Sequence, residues 1–233
     1  GDGTVHEVLN GLMQVPAERR PRLGVIPLGS GNDFSHAVGV DPNPATALRQ
    51  AFQGSPRRID LGLFQIGPGR REYFDNALGI GFDTTVTIRS RKLTWLRGFL
   101  IYLVAVLQTI ILNHEAPAMQ VVTDTESWNE ESILFVLGNG RREGGGFLVT
   151  PEARPDDGLL HYASIRHVSR LKMLRLLPEV MGGTHGRFKD DVRMGVLQRM
   201  ELKADRPLYI HADGEIISGF GSDVREVAVE MVP

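Results

Sequence analysis

Two short segments near the start of the chain set glycines beside acidic and hydroxyl side chains: Gly1-Asp2-Gly3-Thr4, and Pro27-Leu28-Gly29-Ser30-Gly31-Asn32-Asp33-Phe34. Each stands ahead of a pattern that reads as a helix. Glycine lets the backbone turn sharply and approach an anion closely, and the first N–H groups of a helix add unpaired donors and partial positive charge. One such loop is weak evidence, because glycine-rich turns are common. Two close together, each carrying an aspartate, point to a nucleoside triphosphate and its metal. An acidic side chain beside phosphates makes sense when metal or water stands between them. Magnesium prefers oxygen ligands and keeps several waters, so Asp2 and Asp33 could hold it through those waters. Helix capping suits the same two residues, and the two roles can coexist.

The elements around these loops follow from periodicity. Val5, Val8, Leu9 and Leu12 have the spacing of an amphipathic helix over Val5 to Met13, capped by Asp2 or Thr4. Leu23 to Ile26 reads as a short buried strand ended by Pro27, Asp33 to Val38 as a short helix, and Ala45 to Phe52 as a helix introduced by Pro42 and Pro44. Helix, buried strand, glycine loop and helix in succession form the α/β pattern of a parallel sheet. Near Arg57 the character changes. Arg58 to Ile66 and Glu72 to Leu78 read as strands around the turn Gly67-Pro68-Gly69, and Trp95 to Leu112, preceded by Thr94, reads as a long helix. Further strands are expected at Met119 to Thr123, Ile133 to Leu137, Leu159 to Ile165, Val196 to Lys203, Leu208 to Ala212 and Val224 to Met231, with a helix at Ser169 to Val180. The division expected is an α/β nucleotide domain over residues 1–58 and a β-rich domain over 59–233, whose last strand could return to the first.

Composition narrows the class. A hydrophobic content of 42% with 23% charged residues is ordinary for a globular protein, and a formal net charge of −2 argues against a dedicated nucleic-acid binder. The absence of cysteine excludes disulfides and cysteine-ligated zinc and fits a reducing, cytoplasmic setting. Starting inside a motif, without methionine or signal peptide, the chain reads as a piece of a longer protein. Phe99 to Leu112 is shorter than the roughly 20 residues a membrane span needs. Arg89, Arg91, Lys92 and Arg97 cluster around Trp95, a pattern that suits either anionic lipid or a solvated helix start. Isolated histidines such as His6 and His211 lack metal-ligand spacing and are read as non-catalytic. Oligomeric state is left open, with a homodimer among the options.

Taken in order, the motifs resemble the diacylglycerol kinase catalytic-domain family. Gly1-Asp2-Gly3-Thr4-Val5-His6-Glu7-Val8-Leu9-Asn10-Gly11-Leu12 is similar to its first signature and Ile26 to Phe34 to its second. Ile59-Asp60-Leu61-Gly62, Asn139-Gly140 with Gly144-Gly145-Gly146, Pro155-Asp156-Asp157-Gly158-Leu159-Leu160 and Asp213-Gly214-Glu215 match later landmarks. The resemblance implies an α/β domain related to NAD kinases and phosphofructokinases, then a β-sandwich domain, with the active site in the cleft between. It also implies further βα units ahead of the first signature.

The activity implied is an ATP-dependent, magnesium-requiring lipid kinase. Its substrate at the membrane surface would be diacylglycerol or another lipid alcohol, such as a sphingoid base or phosphatidylglycerol. A nucleotide- or lipid-binding protein without catalysis is the alternative from another class. Glu215 takes the place of the catalytic base, although Asp-Gly is also a common hairpin dipeptide. Gly1, Asp2, Gly3, Thr4, Gly29, Ser30, Gly31 and Asn32 take the ATP-phosphate positions, and Asp2, Asp33 and Asp60 the hydrated metal network. Asp60 is notable because aspartate is disfavoured in strands. Asp157, with the backbone carbonyls of Arg154 and Leu159, takes the position of a second, structural metal site, for which a plain turn is the alternative. Gly144 to Gly146 would admit nucleotide or headgroup, or simply form a loop.

Overall fold

The computed structural model describes residues 1–93 and 95–233. Six α-helices and eleven strands are found among them: α1 Asp2–Met13, α2 Asp33–Ala37, α3 Pro44–Gln53, β1 Leu61–Ile66, β2 Arg70–Phe74, β3 Ala77–Gly81, α4 Phe82–Ser90, α5 Phe99–Leu112, β4 Ala118–Thr123, β5 Ser127–Gly138, β6 Leu160–Arg166, α6 Arg170–Gly182, β7 Val192–Leu197, β8 Arg199–Ala204, β9 Ile210–Ala212, β10 Glu215–Ser218 and β11 Glu226–Val232. The strands join in the order β10-β9-β3-β5-β4-β8-β11-β1-β2, with β6 beside β5 and β7 beside β6.

Every pairing is antiparallel, and β5 is what folds the sheet over on itself. Its first half, up to Glu131, pairs with β4, whereas Leu134 to Gly138 lies between β3 and β6. Side chains alternate across a strand, so its second half serves two cores. Phe135 and Leu137 join Phe64, Phe74, Met119, Leu160 and Met200 in the sandwich interior. Leu134 and Val136 join Val106 and Ile110 of α5 and Met173 and Leu176 of α6, which cover the outer face.

Several elements depart from the periodicity. No strand forms at Leu23 to Ile26; the segment has no regular structure and is only partly buried, because no described strand of residues 1–58 stands beside it to supply a ladder. The expected parallel sheet is therefore not found in residues 1–58. The run Val196 to Lys203 divides at Gln198 into β7, which pairs with β6, and β8, which pairs with β4 and β11. Glu72 to Leu78 likewise divides into β2 and β3, because the N–H groups of Asp75, Asn76 and Ala77 donate to the Asp213 carboxylate.

Helix α4 has no counterpart in the periodicity reading. Three threonines with low helix propensity hide it, and their hydroxyls donate to the carbonyls of Gly79, Gly81 and Asp83. Helix α5 begins at Phe99 rather than Trp95, and the start signal at Thr94 lies outside the described residues.

Candidate active site

The two glycine loops meet. Gly1 and Gly29 abut through their backbones, and Asn32, in a left-handed conformation (φ 54°), closes the second loop by exchanging hydrogen bonds of 2.8 Å with both the N–H and the carbonyl of Gly29. Asp2 is inside α1 rather than capping it; its Oδ1 accepts from the Phe34 N–H at 3.1 Å and so caps α2. The Asp2 and Asp33 carboxylates converge over Gly31, where an added Cβ would come within 2.9 Å of one and 3.0 Å of the other. Asp33 also accepts from the Gly145 N–H at 3.1 Å and pairs with Arg142 at 3.0 Å, which ties the glycine-rich loop after β5 to this site. Burial, and then the Asp2 charge beside it, push Asp33 up to about 7, outweighing Gly145 and Arg142. Two carboxylates pressed together, of which Asp33 is paired with Arg142, fit a hydrated magnesium ion: Asp2 and Asp33 would hold it through waters, and it would supply charge for a phosphate.

Glu215, the first residue of β10, reaches the same place. The turn Asp213-Gly214 has positive φ at both residues (49° and 84°), and an added Cβ on Gly3 would collide with the Glu215 carboxylate. Arg91 at the end of α4 donates to Glu215 Oε2 at 2.7 Å and to the Gly214 carbonyl at 2.8 Å. The turn itself is fixed by Asp213, whose carboxylate also meets His6 Nδ1 at 2.8 Å.

A cavity of about 360 Å³ opens here. Asp2, Gly3, Ser30, Gly31, Asp33 and Glu215 stand along it with Arg91, and its remaining wall is largely apolar, built from α4, α5, α6 and the outer sheet face. Thr4 is exposed on the first turn of α1 and does not line the cavity.

The other expected ligands lie elsewhere. Asp60 accepts from the Gly158 N–H at 2.7 Å, and its own N–H donates to the Pro155 carbonyl, so it braces the Asp156–Leu160 turn. Within that turn Asp157 accepts from the Leu159 N–H at 3.1 Å, and His161 Nε2 is 3.4 Å from its other oxygen. This is an Asx turn, and His161 stands where it would compete with a cation on Asp157. Arg154 is exposed beside it.

The sequence did not mark Asp83, Glu143, Arg142 or Tyr102, which also line or brace the cavity. Only His211, by standing beside the Asp-Gly-Glu motif, carried any signal.

Glycine loops that meet at the starts of α1 and α2, an acidic side chain facing them and an apolar cavity behind are the arrangement a phosphotransferase acting on an apolar alcohol needs. Residues 76–233 match the family described as YegS C-terminal NAD kinase beta sandwich-like domain, and residues 1–64 the Diacylglycerol kinase catalytic domain. The chain is 34% identical over 217 residues to a "Probable lipid kinase YegS-like" of Chromohalobacter salexigens, covering 92% of the chain and 67% of that protein. It is 31% identical over 228 residues to a "Diacylglycerol kinase" of Mycobacterium tuberculosis, covering 97% and 72%. A crystal structure of a putative diacylglycerol kinase from Bacillus anthracis str. Sterne superposes on the whole chain and 72% of its own, with a TM-score of 0.75 at 24% identity, a likeness of fold. The chain belongs to the diacylglycerol kinase family of phosphotransferases with an alcohol group as acceptor.

Proposed function

We propose that this protein is an ATP-dependent, magnesium-requiring lipid kinase that transfers the γ-phosphate to a lipid hydroxyl at a membrane surface. One observation carries the reading: the glycine loops and Glu215 converge at the opening of an apolar cavity. Phosphoryl transfer asks for in-line placement, charge stabilisation and a base at the attacking hydroxyl. The loop backbone around Gly1, Gly3, Gly29, Ser30, Gly31 and Asn32 would allow close approach of the phosphates. Glu215 takes the hydroxyl proton, and Arg91, which lines the same cavity, is paired with Glu215 in this structure. Asp2 and Asp33 would hold a magnesium ion through its waters, and that ion would supply positive charge to the phosphates.

The domain division follows the same reading. Residues 1–58 belong to an α/β nucleotide domain of NAD-kinase type, and residues 59–233 form the lipid-side domain. Diacylglycerol is the acceptor that the name of the Mycobacterium tuberculosis relative suggests. Asp157, with the Arg154 and Leu159 carbonyls, is a candidate second metal site only if His161 yields its place.

The test is transfer of labelled γ-phosphate from ATP to a panel of lipids in mixed micelles, using the full-length natural protein with and without magnesium. Glu215→Gln should lower kcat by about 10²- to 10⁴-fold while ATP binding persists. Undiminished turnover in that variant would remove Glu215 from the reaction, and ATP binding without any phosphorylated lipid would favour a binding protein.

A further inference from the structure

The turn that aims Glu215 is fixed by Asp213, and among the described residues His6 is the one side chain that donates to it. The Asp213 carboxylate is shut off from solvent. Its Oδ1 accepts from the N–H groups of Asn76 and Ala77, and its Oδ2 from the Asp75 N–H at 3.0 Å and from His6 Nδ1 at 2.8 Å. The backbone donors bring no full charge. Asp75 and Glu143, which lie close enough to feel the Asp213 charge, are acids as well. A buried carboxylate without a counter-charge is costly, so His6 has a role that no backbone group can fill.

The imidazole is itself held from both sides. Nδ1 faces Asp213, and Nε2 lies 3.6 Å from Glu72 Oε2 on β2, whose other oxygen pairs with Arg70. Asn10 Nδ2 stands 3.5 Å from Nε2, but its two protons go to the carbonyls of His6 and Tyr73 at 3.0 and 2.9 Å, so it has none to give the ring. With a carboxylate facing each ring nitrogen, the doubly protonated form fits best. Burial alone would depress the His6 pKa; the hydrogen bond and charge of Asp213, and then those of Glu72, outweigh it and raise the pKa above the ordinary 6.5. Asp2, His6 and Asn10 follow at i, i+4 and i+8 and line one face of α1. Asn10 pins that face to β2 by exchanging hydrogen bonds with the carbonyl and the N–H of Tyr73. Asp2 is at the glycine loops, and Gly3 stands against Glu215 itself. Helix α1 therefore has its first turn at the phosphate loops and its second on the turn that carries the base.

We infer that His6 is a positioning residue for the transfer step: as the buried cation between Glu72 and Asp213 it locks the Asp213-Gly214 turn to α1, so that Glu215 and the glycine loops keep one alignment. His6 touches no reacting atom and acts only through that turn. The groups that govern its charge are Asp213 from the β9–β10 turn, Glu72 with its partner Arg70 from β2, and, beyond Asp213, Asp75 from the β2–β3 link. Asp2 and Glu7 are the acids of its own helix, and Asp33 of α2 converges with Asp2 at the far end. The inference rests on the lipid-kinase reading for the reaction it serves, and its test includes a readout that needs no reaction.

The test compares two variants of the full-length natural protein. His6→Phe keeps a ring and loses donor and charge; His6→Asn keeps an amide donor where Nδ1 stands and loses only the charge. Hydrogen exchange of residues 210–218, followed without ATP or lipid, reads the turn directly. It should quicken by at least about ten-fold in His6→Phe and stay within about three-fold of wild type in His6→Asn. In transfer assays His6→Phe should lower kcat by about ten-fold or more with the KM for ATP unchanged, because a misplaced base is costly, and His6→Asn should restore most of the loss. In the Glu215→Gln background His6→Phe should have no further effect on residual turnover, since residues acting through one group are not additive. The imidazolium's share of stability is present below about pH 6.5 and is lost as pH rises through the raised pKa, so the wild type's melting temperature relative to His6→Asn should fall over that range. Should His6→Phe not fold, His6→Gln, which keeps a donor toward Glu72 and loses the one to Asp213, takes its place. Unchanged exchange at 210–218 in the variant lacking the donor would overturn the inference, as would quickened exchange spread evenly over the chain. A kcat loss that persists undiminished in the Glu215→Gln background, or a melting-temperature difference flat with pH, would overturn it too. No transfer to any lipid by the wild type would sink the kinase reading and leave the exchange rates to decide this one.

Discussion

Four donors converge on the Asp213 carboxylate: the N–H groups of Asp75, Asn76 and Ala77 at 2.9 to 3.0 Å, and His6 Nδ1 at 2.8 Å. That saturation holds a strained two-residue turn and thereby aims Glu215, so Asp213 acts as a positioning residue. Its neighbour shows the opposite condition. Asp75 is fully buried, neither of its oxygens has a partner, and burial, with Asp213 and Asp2 nearby, pushes its pKa well above the ordinary value of 3.8. A raised carboxyl pKa means the folded state binds more protons than the unfolded one. The associated stability is present below about pH 4 and declines as pH rises toward the folded pKa, by up to about 1.4 kcal/mol per pH unit. Asp75→Asn cannot ionise, so its melting temperature should exceed that of the wild type by more at pH 8 than at pH 5. A pH-independent difference would show that Asp75 does not titrate with folding. The residues of the two glycine loops and Glu215 were legible as motifs. Asp83 with His211 was not, because the two are 128 positions apart and meet only through the β3–β9 pairing.

Periodicity found elements where one strand or helix buries one face and failed where a run changes partners. β4, β11, α3 and α6 lie close to their expected ranges, and the caps Asn43 and Ser169 accept from the N–H groups that start α3 and α6. The runs at 72–78 and 196–203 look continuous in sequence, yet each serves two different neighbours, a fact set by sheet topology. Gly62 shows what this topology demands of one residue. It lies opposite Phe74 in the β1–β2 pair, and the fully buried Phe74 ring occupies the space a Cβ would need. Gly62→Ala must push that ring out of the sandwich interior, and overpacking of this kind costs about 1–3 kcal/mol. Urea denaturation should show the midpoint falling with an unchanged slope. An unaltered midpoint would mean the β1–β2 edge yields without disturbing the core.

On the scale of the molecule, the helices that wall the cavity and the segment leading into α5 also carry exposed apolar side chains. Trp95 is 74% exposed just ahead of α5, Leu100, Ile111 and Leu112 on α5 are 55–66% exposed, and Leu171 at the start of α6 is 80% exposed. No described helix is long and apolar enough to cross a membrane. On the proposed membrane-surface reading, this 14-residue apolar helix with exposed side chains beside the cavity would insert shallowly into a bilayer surface. The basic cluster expected around Trp95 is divided by the structure. Arg89 is bonded to Asn113 and Arg91 to Glu215, whereas Lys92 and Arg97 are exposed. Each basic residue held near an anionic surface contributes about 1 kcal/mol, so reversing both as Lys92→Glu with Arg97→Glu should weaken binding to phosphatidylglycerol vesicles by at least about ten-fold. Raising the salt should weaken the wild type toward the same level, because exposed charges are screened. Trp95→Ala should reduce binding without that salt dependence, since it removes apolar contact instead of charge. Vesicle sedimentation with unchanged binding in all three tests would place the lipid-facing surface elsewhere on the molecule.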